Sequence, residues 1–189
     1  MSDLPGARPA SRTLGDLVDE MAATTPNAEA VVFGDERLDY AGLEARVDVF
    51  ARALLAVGIQ RGDRVALLVT NRTEWVVGAC AAAKIGALVA AISTFSTPRE
   101  LAWTLEHSGA AALITLDAFR GRRFLETLLD FCPELDHSIP GALKAKRLPT
   151  LRTVVAVRGP ALAVFSCCRS SWCRAHRWIQ LRSPPRSRL

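Results

Sequence analysis

Residues 13–158 predict an α/β domain built on an open, mostly parallel sheet with helices on both faces. Three observations carry this. Unbroken apolar runs recur at residues 65–69, 87–92, 111–115 and 153–157, the pattern of strands covered on both sides. Helical periodicity fills the intervals between them. Glycines at positions 58, 86 and 109 close the helical stretches. A chain that alternates strand and helix in this way pairs its strands in parallel through right-handed crossovers.

Taken in order, Thr13 opens a helix with Asp16 three residues on as its capping partner. Leu14, Leu17, Val18 and Met21 give that helix an apolar face. Residues 30–33 read as a short strand, Gly34-Asp35 as a turn, and residues 36–39 as the returning arm of a hairpin. A long helix follows from Tyr40, with Leu43, Val47, Phe50, Leu54 and Leu55 as its buried stripe and Gly58 as its left-handed cap. After the strand at 65–69, residues 73–85 form a helix that Gly86 ends, and residues 87–92 a second buried strand.

Thr97-Pro98-Arg99-Glu100 combines an N-cap, a first-turn proline and an acid at the third helical position, a strong helix start. The third strand is expected at 111–115, a helix at 122–130 closed by Pro133, a loop with a basic patch at 134–150, and a last strand at 153–157. No internal repeat and no heptad is present.

The character of the chain changes after Gly159. From residue 161 onward there are six Arg, no Lys and no acid, leaving 18 of the 24 basic side chains to face all 19 acidic ones in the first 160 residues. The net charge of +5 therefore belongs to the tail, and the body is close to neutral. The expected organisation is a flexible N-terminus over 1–12, a domain over 13–160 and a disordered basic tail over 161–189. With 189 residues there is room for one domain and an appendage.

Cys80 and Cys132 are isolated thiols in the body, and Cys167, Cys168 and Cys173 lie in the tail. This is no disulfide framework, and it fits a reducing compartment. The first residues have no apolar signal-peptide core. The one stretch that resembles a membrane span, 75–95, is interrupted by Lys84 and Gly86. A cytoplasmic protein without a membrane span is expected, so that the sequon at Asn71-Arg72-Thr73 stays unmodified.

Candidate sites are few. Cys167, Cys168, Cys173 and His176 lack the separated ligand pairs of a structural zinc site. The arginines around Trp172 and Trp178 resemble a nucleic-acid-binding arm, but the abrupt change in composition favours an unselected segment with only weak affinity for polyanions, and no specific nucleic-acid partner is expected. His107 is read as capping a helix C-terminus. Gly58, Gly62, Gly86 and Gly109 match no phosphate-binding motif. Asp16, Asp19 and Glu20 read as a solvated helix face. No catalytic, cofactor-binding or metal-ligating residue is assigned.

Residues 38–119 resemble the N-terminal portion of the AMP-forming acyl-CoA synthetases, in the adenylate-forming superfamily. The likeness rests on Leu38-x-Tyr40-x-x-Leu43 entering a long helix, and on Gly58-Ile59-x-x-Gly62-Asp63-x-Val65-Ala66 followed by Asn71-x-x-Glu74. Ala83-Lys84-Ile85-Gly86-Ala87 closing a small-residue helix is the third matching element. The resemblance extends over about 13–158 and implies the first part of that family's large N-terminal domain.

What it implies for the full-length family is an ATP-dependent ligase. A carboxylate attacks Mg-bound ATP to give an acyl-adenylate, and coenzyme A then displaces AMP. ATP, Mg, coenzyme A and a small carboxylate are the family's cofactors and partners. The family's phosphate cradle, a Ser/Thr/Gly-rich loop ending in Pro-Lys-Gly, does not occur in these 189 residues; its place after the strand at 153–157 is taken by the Arg/Ser/Cys segment. The resemblance therefore predicts an inactive fragment with no cofactor of its own. A reading-frame change near residues 159–165 would account for the switch, and the encoding DNA would reveal it. The alternatives are a non-catalytic interaction module, meeting a chaperone or a second copy through exposed surface, and a small-ligand-binding α/β domain, whose ligand edge beyond the carboxyl ends of the strands includes residues 70–72 and 93–97.

Overall fold

The computed structural model describes residues 13–158 and 161–165. Helix α1 (Leu14–Thr24) is capped by Thr13, whose hydroxyl accepts from the Asp16 N–H. An antiparallel hairpin of β1 (Glu29–Phe33) and β2 (Glu36–Asp39) follows. The Asp39 carboxylate then accepts from the Gly42 N–H at 2.8 Å and starts α2 (Tyr40–Ala56). Gly58, at φ +82°, takes the left-handed conformation that turns the chain out of this helix.

β3 (Arg64–Leu68), α3 (Thr73–Lys84), β4 (Leu88–Ala91), α4 (Pro98–Ser108) and β5 (Ala112–Leu116) alternate as the apolar runs predict. The Thr97/Glu100 capping box forms in full at the start of α4. Beyond β5 come a small hairpin, β6 (Ala118–Phe119) with β7 (Arg122–Arg123), then α5 (Phe124–Phe131), β8 (Thr153–Arg158) and β9 (Ala161–Phe165).

The central sheet has the order β4-β3-β5-β8-β9. β4, β3, β5 and β8 are mutually parallel, and β9 pairs antiparallel to β8. The chain leaves β3 towards β4 through α3 and returns across β3 to β5 through α4. With right-handed crossovers, these opposite directions put α3 and α4 on opposite faces of the sheet. α1 and α2 pack with α3 on one face, and α5 packs with α4 on the other. The core lies at the sheet centre, where Leu67, Leu68, Leu113 and Ile114 are fully buried. Gly78 brings α3 close enough that a Cβ there would sit 3.4 Å from methyls of Leu67 and Ile114.

Several expectations are corrected. The buried line of α1 is Gly15, Val18 and Ala22, while Leu14 is 55% exposed. Close approach decides this, because a Cβ on Gly15 would lie 2.7 Å from the Cα of Lys84. Leu55 is exposed rather than part of the α2 stripe. β4 is a sheet edge and largely exposed, not covered on both faces. The helix expected from residue 122 begins at Phe124. Arg120 and Gly121, at φ +48° and +78°, form the mirror-image turn that suits a tight hairpin. The expected loop at 134–150 is packed, with a 3₁₀ turn (Pro133–His137) and buried Leu135, Leu143, Ala145 and Leu148. Its basic patch is partly engaged, since Arg147 pairs with Glu106. Residues 161–165, assigned by sequence to the tail, are β9, because the edge of β8 gives their backbone a hydrogen-bonding partner. The expectations for 1–12 and 166–189 lie outside the described residues.

Candidate functional site

In an open parallel sheet, ligands collect beyond the carboxyl ends of the strands, where neighbouring connections depart in opposite directions. Here that point lies between β3 and β5, and a cleft of about 620 Å³ opens beside it. Its floor is Val69, Thr70 and Asn71 after β3, with Ala91, Ile92, Ser93 and Thr94 at the end of β4. Phe33 from the β1 hairpin, Trp75 from α3, Phe95 and Phe119 form aromatic walls. Arg120, at the tip of the β6–β7 hairpin, reaches the cleft as the single cation among the described residues that line it, and none of these carries a carboxylate. Its guanidinium also stands 5.3 Å from the centre of the Phe119 ring.

The loops that frame the cleft are held by local polar contacts. Arg122 donates to the Ser96 carbonyl at 2.7 Å, fastening the small hairpin to the β4–α4 loop. The Ser93 hydroxyl accepts from the Phe95 N–H at 3.2 Å. The Glu100 carboxylate is held below its ordinary value by the Thr97 backbone N–H and then by the Thr97 hydroxyl. At the start of α3 a second network forms. Thr73 donates to Glu36 at 2.6 Å, Arg46 donates to the other Glu36 oxygen at 2.6 Å, and Arg72 pairs with buried Glu74 at 2.6 Å. Burial raises the Glu36 pKa, but the Thr73 hydrogen bond and the Arg46 guanidinium outweigh it and leave the group below its usual value. A narrower groove of about 350 Å³ runs from here between the β1 hairpin and α3, and it shares Phe33, Asn71 and Trp75 with the main cleft.

The candidates named from sequence fall elsewhere. Gly58, Gly62, Gly86 and Gly109 all have positive φ and serve turns and helix ends. His107 stacks on Trp103 at 4.0 Å between ring centroids, with its Nδ1 2.8 Å from the Trp103 carbonyl, which is a helix-end role. Asp16 contacts its own cap, whereas Asp19 belongs to an interhelical ion pair with Lys84 rather than to a purely solvated face. Cys80 and Cys132 are buried free thiols, and burial followed by the Glu134 charge pushes Cys132 up to about 11, so neither is a poised nucleophile. The Cys/His and Arg/Trp clusters lie outside the described residues. Among the described residues no group of three His, Cys, Asp or Glu is placed to hold a metal, and no helix is long and apolar enough to cross a membrane.

Sequence reasoning named 70–72 and 93–97 as the ligand edge, but it missed Phe33, Trp75, Phe119 and Arg120. The Arg120-Gly121 pair was the available signal, as a turn dipeptide between short strands.

The cleft is a mostly apolar pocket with few polar groups at the mouth of a doubly wound sheet, the usual form of a small-molecule site. Fold and site thus define an α/β protein with a mostly parallel sheet between helical layers and an apolar cleft at the carboxyl ends of its strands. The sequence pattern of the family described as AMP-binding enzyme matches residues 18–169. The chain belongs to that family.

The YngI protein of Bacillus subtilis is 35% identical over 153 residues, which are 80% of this chain and 28% of that protein. Human medium-chain acyl-CoA ligase ACSF2, mitochondrial, is 34% identical over 152 residues, 79% of this chain and 25% of the ligase. The chain thus spans about a quarter of the length of the relatives it matches. The anthranilate CoA ligase AuaEII, solved in complex with anthranoyl-AMP, superposes with a TM-score of 0.63 over 79% of this chain and 26% of that chain. At 21% identity that likeness concerns the fold.

Proposed function

We propose that this chain is the amino-terminal α/β scaffold of an ATP-dependent acyl-CoA ligase, and that the 189 residues alone do not catalyse adenylation. The parent reaction joins a carboxylate to AMP and passes the acyl group to coenzyme A. Family membership and the names of the relatives support the reaction class. The cleft carries the second half of the reading. Among the described residues its lining holds one cation and no carboxylate, which does not suit a magnesium-bound triphosphate needing an acidic metal ligand and a cradle of donors. No step through ATP or magnesium is therefore derived from these residues. What they supply is the apolar wall and the rigid sheet against which the rest of such a ligase would pack.

A cytoplasmic location follows the same reading. Two buried free thiols suit a reducing compartment, although human ACSF2 carries a mitochondrial label in its name.

The test is ATP–pyrophosphate exchange by the purified chain with a series of aliphatic and aromatic carboxylic acids. No exchange above background is the expected result. Robust, acid-dependent exchange would refute the claim of inactivity, while the fold assignment would stand.

A further inference from the structure

We infer that Glu36 is a positioning residue: its carboxylate clasps the β1–β2 hairpin to α2 and α3 and so sets where Phe33 stands in the cleft wall. The inference rests on contacts inside residues 26–75 and does not depend on the ligase reading.

The hairpin forms a two-stranded sheet of its own, apart from the central sheet. Two strands alone are marginally stable in water, so their placement comes from what they pack against. The base is well tied. The Tyr40 N–H donates to the Ala28 carbonyl and the Ala41 N–H to the Pro26 carbonyl, each at 3.1 Å, and Leu38 is buried. The tip differs, for within the described chain only Glu36 of residues 32–37 is even partly buried. Its neighbour Arg37 pairs with Glu29 inside the hairpin. Among the described residues, the Glu36 carboxylate is therefore what joins the tip to the body.

Register gives that one group its influence. Phe33 and Glu36 are directly opposed across the hairpin, and opposed residues project from the same face. On that face Glu36 accepts from the Thr73 hydroxyl and from Arg46, each at 2.6 Å. Phe33 shares the cleft and the narrower groove with Asn71 and Trp75. Thr73 and Trp75 both lie in the first turn of α3, so one helix end receives both side chains. Thr73 is fully buried, which leaves its hydroxyl little play.

The charges facing Glu36 are Arg46 from α2 and Arg72 at the start of α3, and Arg72 is itself paired with Glu74. Burial favours the protonated carboxyl, but the Thr73 and Arg46 hydrogen bonds and the two guanidinium charges outweigh it and keep the group below its ordinary 4.5. A lowered folded pKa means that the clasp is complete above pH 4.5 and is lost as pH falls through the folded value.

The test is fluorine NMR of the chain labelled with fluorotryptophan, the Trp75 resonance being assigned by Trp75→Phe, together with amide hydrogen exchange. At neutral pH, Glu36→Gln and Thr73→Val should each move the Trp75 resonance, and the amides of residues 33 and 36 should exchange about tenfold faster. The amides of Ala66 and Leu113 in the central sheet should not change, and the double variant should do no more than either single one. On acidification the Trp75 resonance of the unmodified chain should move towards its position in Glu36→Gln, with a midpoint below pH 4.5, and Glu36→Gln should show no such step. If Thr73→Val fails to fold, or acid unfolds the chain first, Glu36→Gln against the unmodified chain at neutral pH decides. An unmoved Trp75 resonance in Glu36→Gln, faster exchange spread evenly over hairpin and central sheet, or an acid step that persists in Glu36→Gln would each overturn the inference.

Discussion

β3 and β4 are neighbouring parallel strands of similar composition, yet they live in different surroundings. From Val65 to Leu68 every β3 residue is fully buried, whereas in β4 only Ala90 is even partly buried. β3 has a strand on each side and helices on both faces, while among the described residues β4 has a single strand neighbour. The same division runs through the molecule. The half containing β3, β5 and the α1–α2–α3 layer is closed, and an ion network there, Lys84 with Asp19 and Asp48, ties three helices together. The half containing β4, Phe33 and Phe95 is open and apolar, and it borders the cleft. Burial here is conferred by neighbours rather than by the apolar residues themselves, so equal hydrophobicity contributes unequal stability.

Truncation on the two sides should show this most plainly. Leu113→Ala, at a fully buried position, should cost about 2–5 kcal/mol, and Leu88→Ala no more than about 0.5 kcal/mol, read as shifts of the chemical denaturation midpoint. Equal losses would erase the distinction between closed and open halves.

The closed half should also reject a substitution that helix propensity favours. Gly15→Ala gains about 1 kcal/mol of propensity, but its Cβ meets the Lys84 backbone, and we expect a net loss of about 1–2 kcal/mol in thermal unfolding. A stabilised variant would mean that the α1–α3 contact is looser than described.

Lys84→Met should cost about 1 kcal/mol, since the network is partly exposed and its removal leaves two carboxylates near each other. The pH dependence sharpens this case. Burial lowers the Lys84 pKa, but the hydrogen bonds it donates to Asp19 and Asp48 prevail and hold it above the ordinary 10.5. A raised folded pKa means the stabilisation is complete below pH 10.5 and is lost as pH rises through the folded value. An alkaline stability titration should therefore fall more steeply for the unmodified chain than for Lys84→Met.

The smallest effect belongs to the open half. Arg120→Gly relieves a positive φ on a residue with a side chain and should raise stability by about 1 kcal/mol or less, measured as a higher melting temperature. A loss instead would mean that the Arg120 contacts with the cleft outweigh its backbone conformation.

Local signals in the sequence were reliable where they act within a few residues. The Thr97/Glu100 capping box, the Gly58 turn and the Gly34-Asp35 hairpin all form as read, because their partners lie one turn away. The readings that failed depended on distant neighbours. Leu14 was placed inside by periodicity and stands outside because α3 meets α1 at Gly15. The cleft was legible only as an edge, since Phe33, Trp75 and Arg120 come from three separate elements and converge only in space.

The sequence by itself determined the alternation of strand and helix, the parallel sheet and the resemblance to acyl-CoA synthetases, since each is written in periodicity, caps and short motifs. Tertiary structure alone decided that β4 is an edge while β3 is a centre, and that Arg120 faces a cleft. Apolar runs of equal strength carry no information about how many strands will lie beside them; that follows from the order in which crossovers return to the sheet.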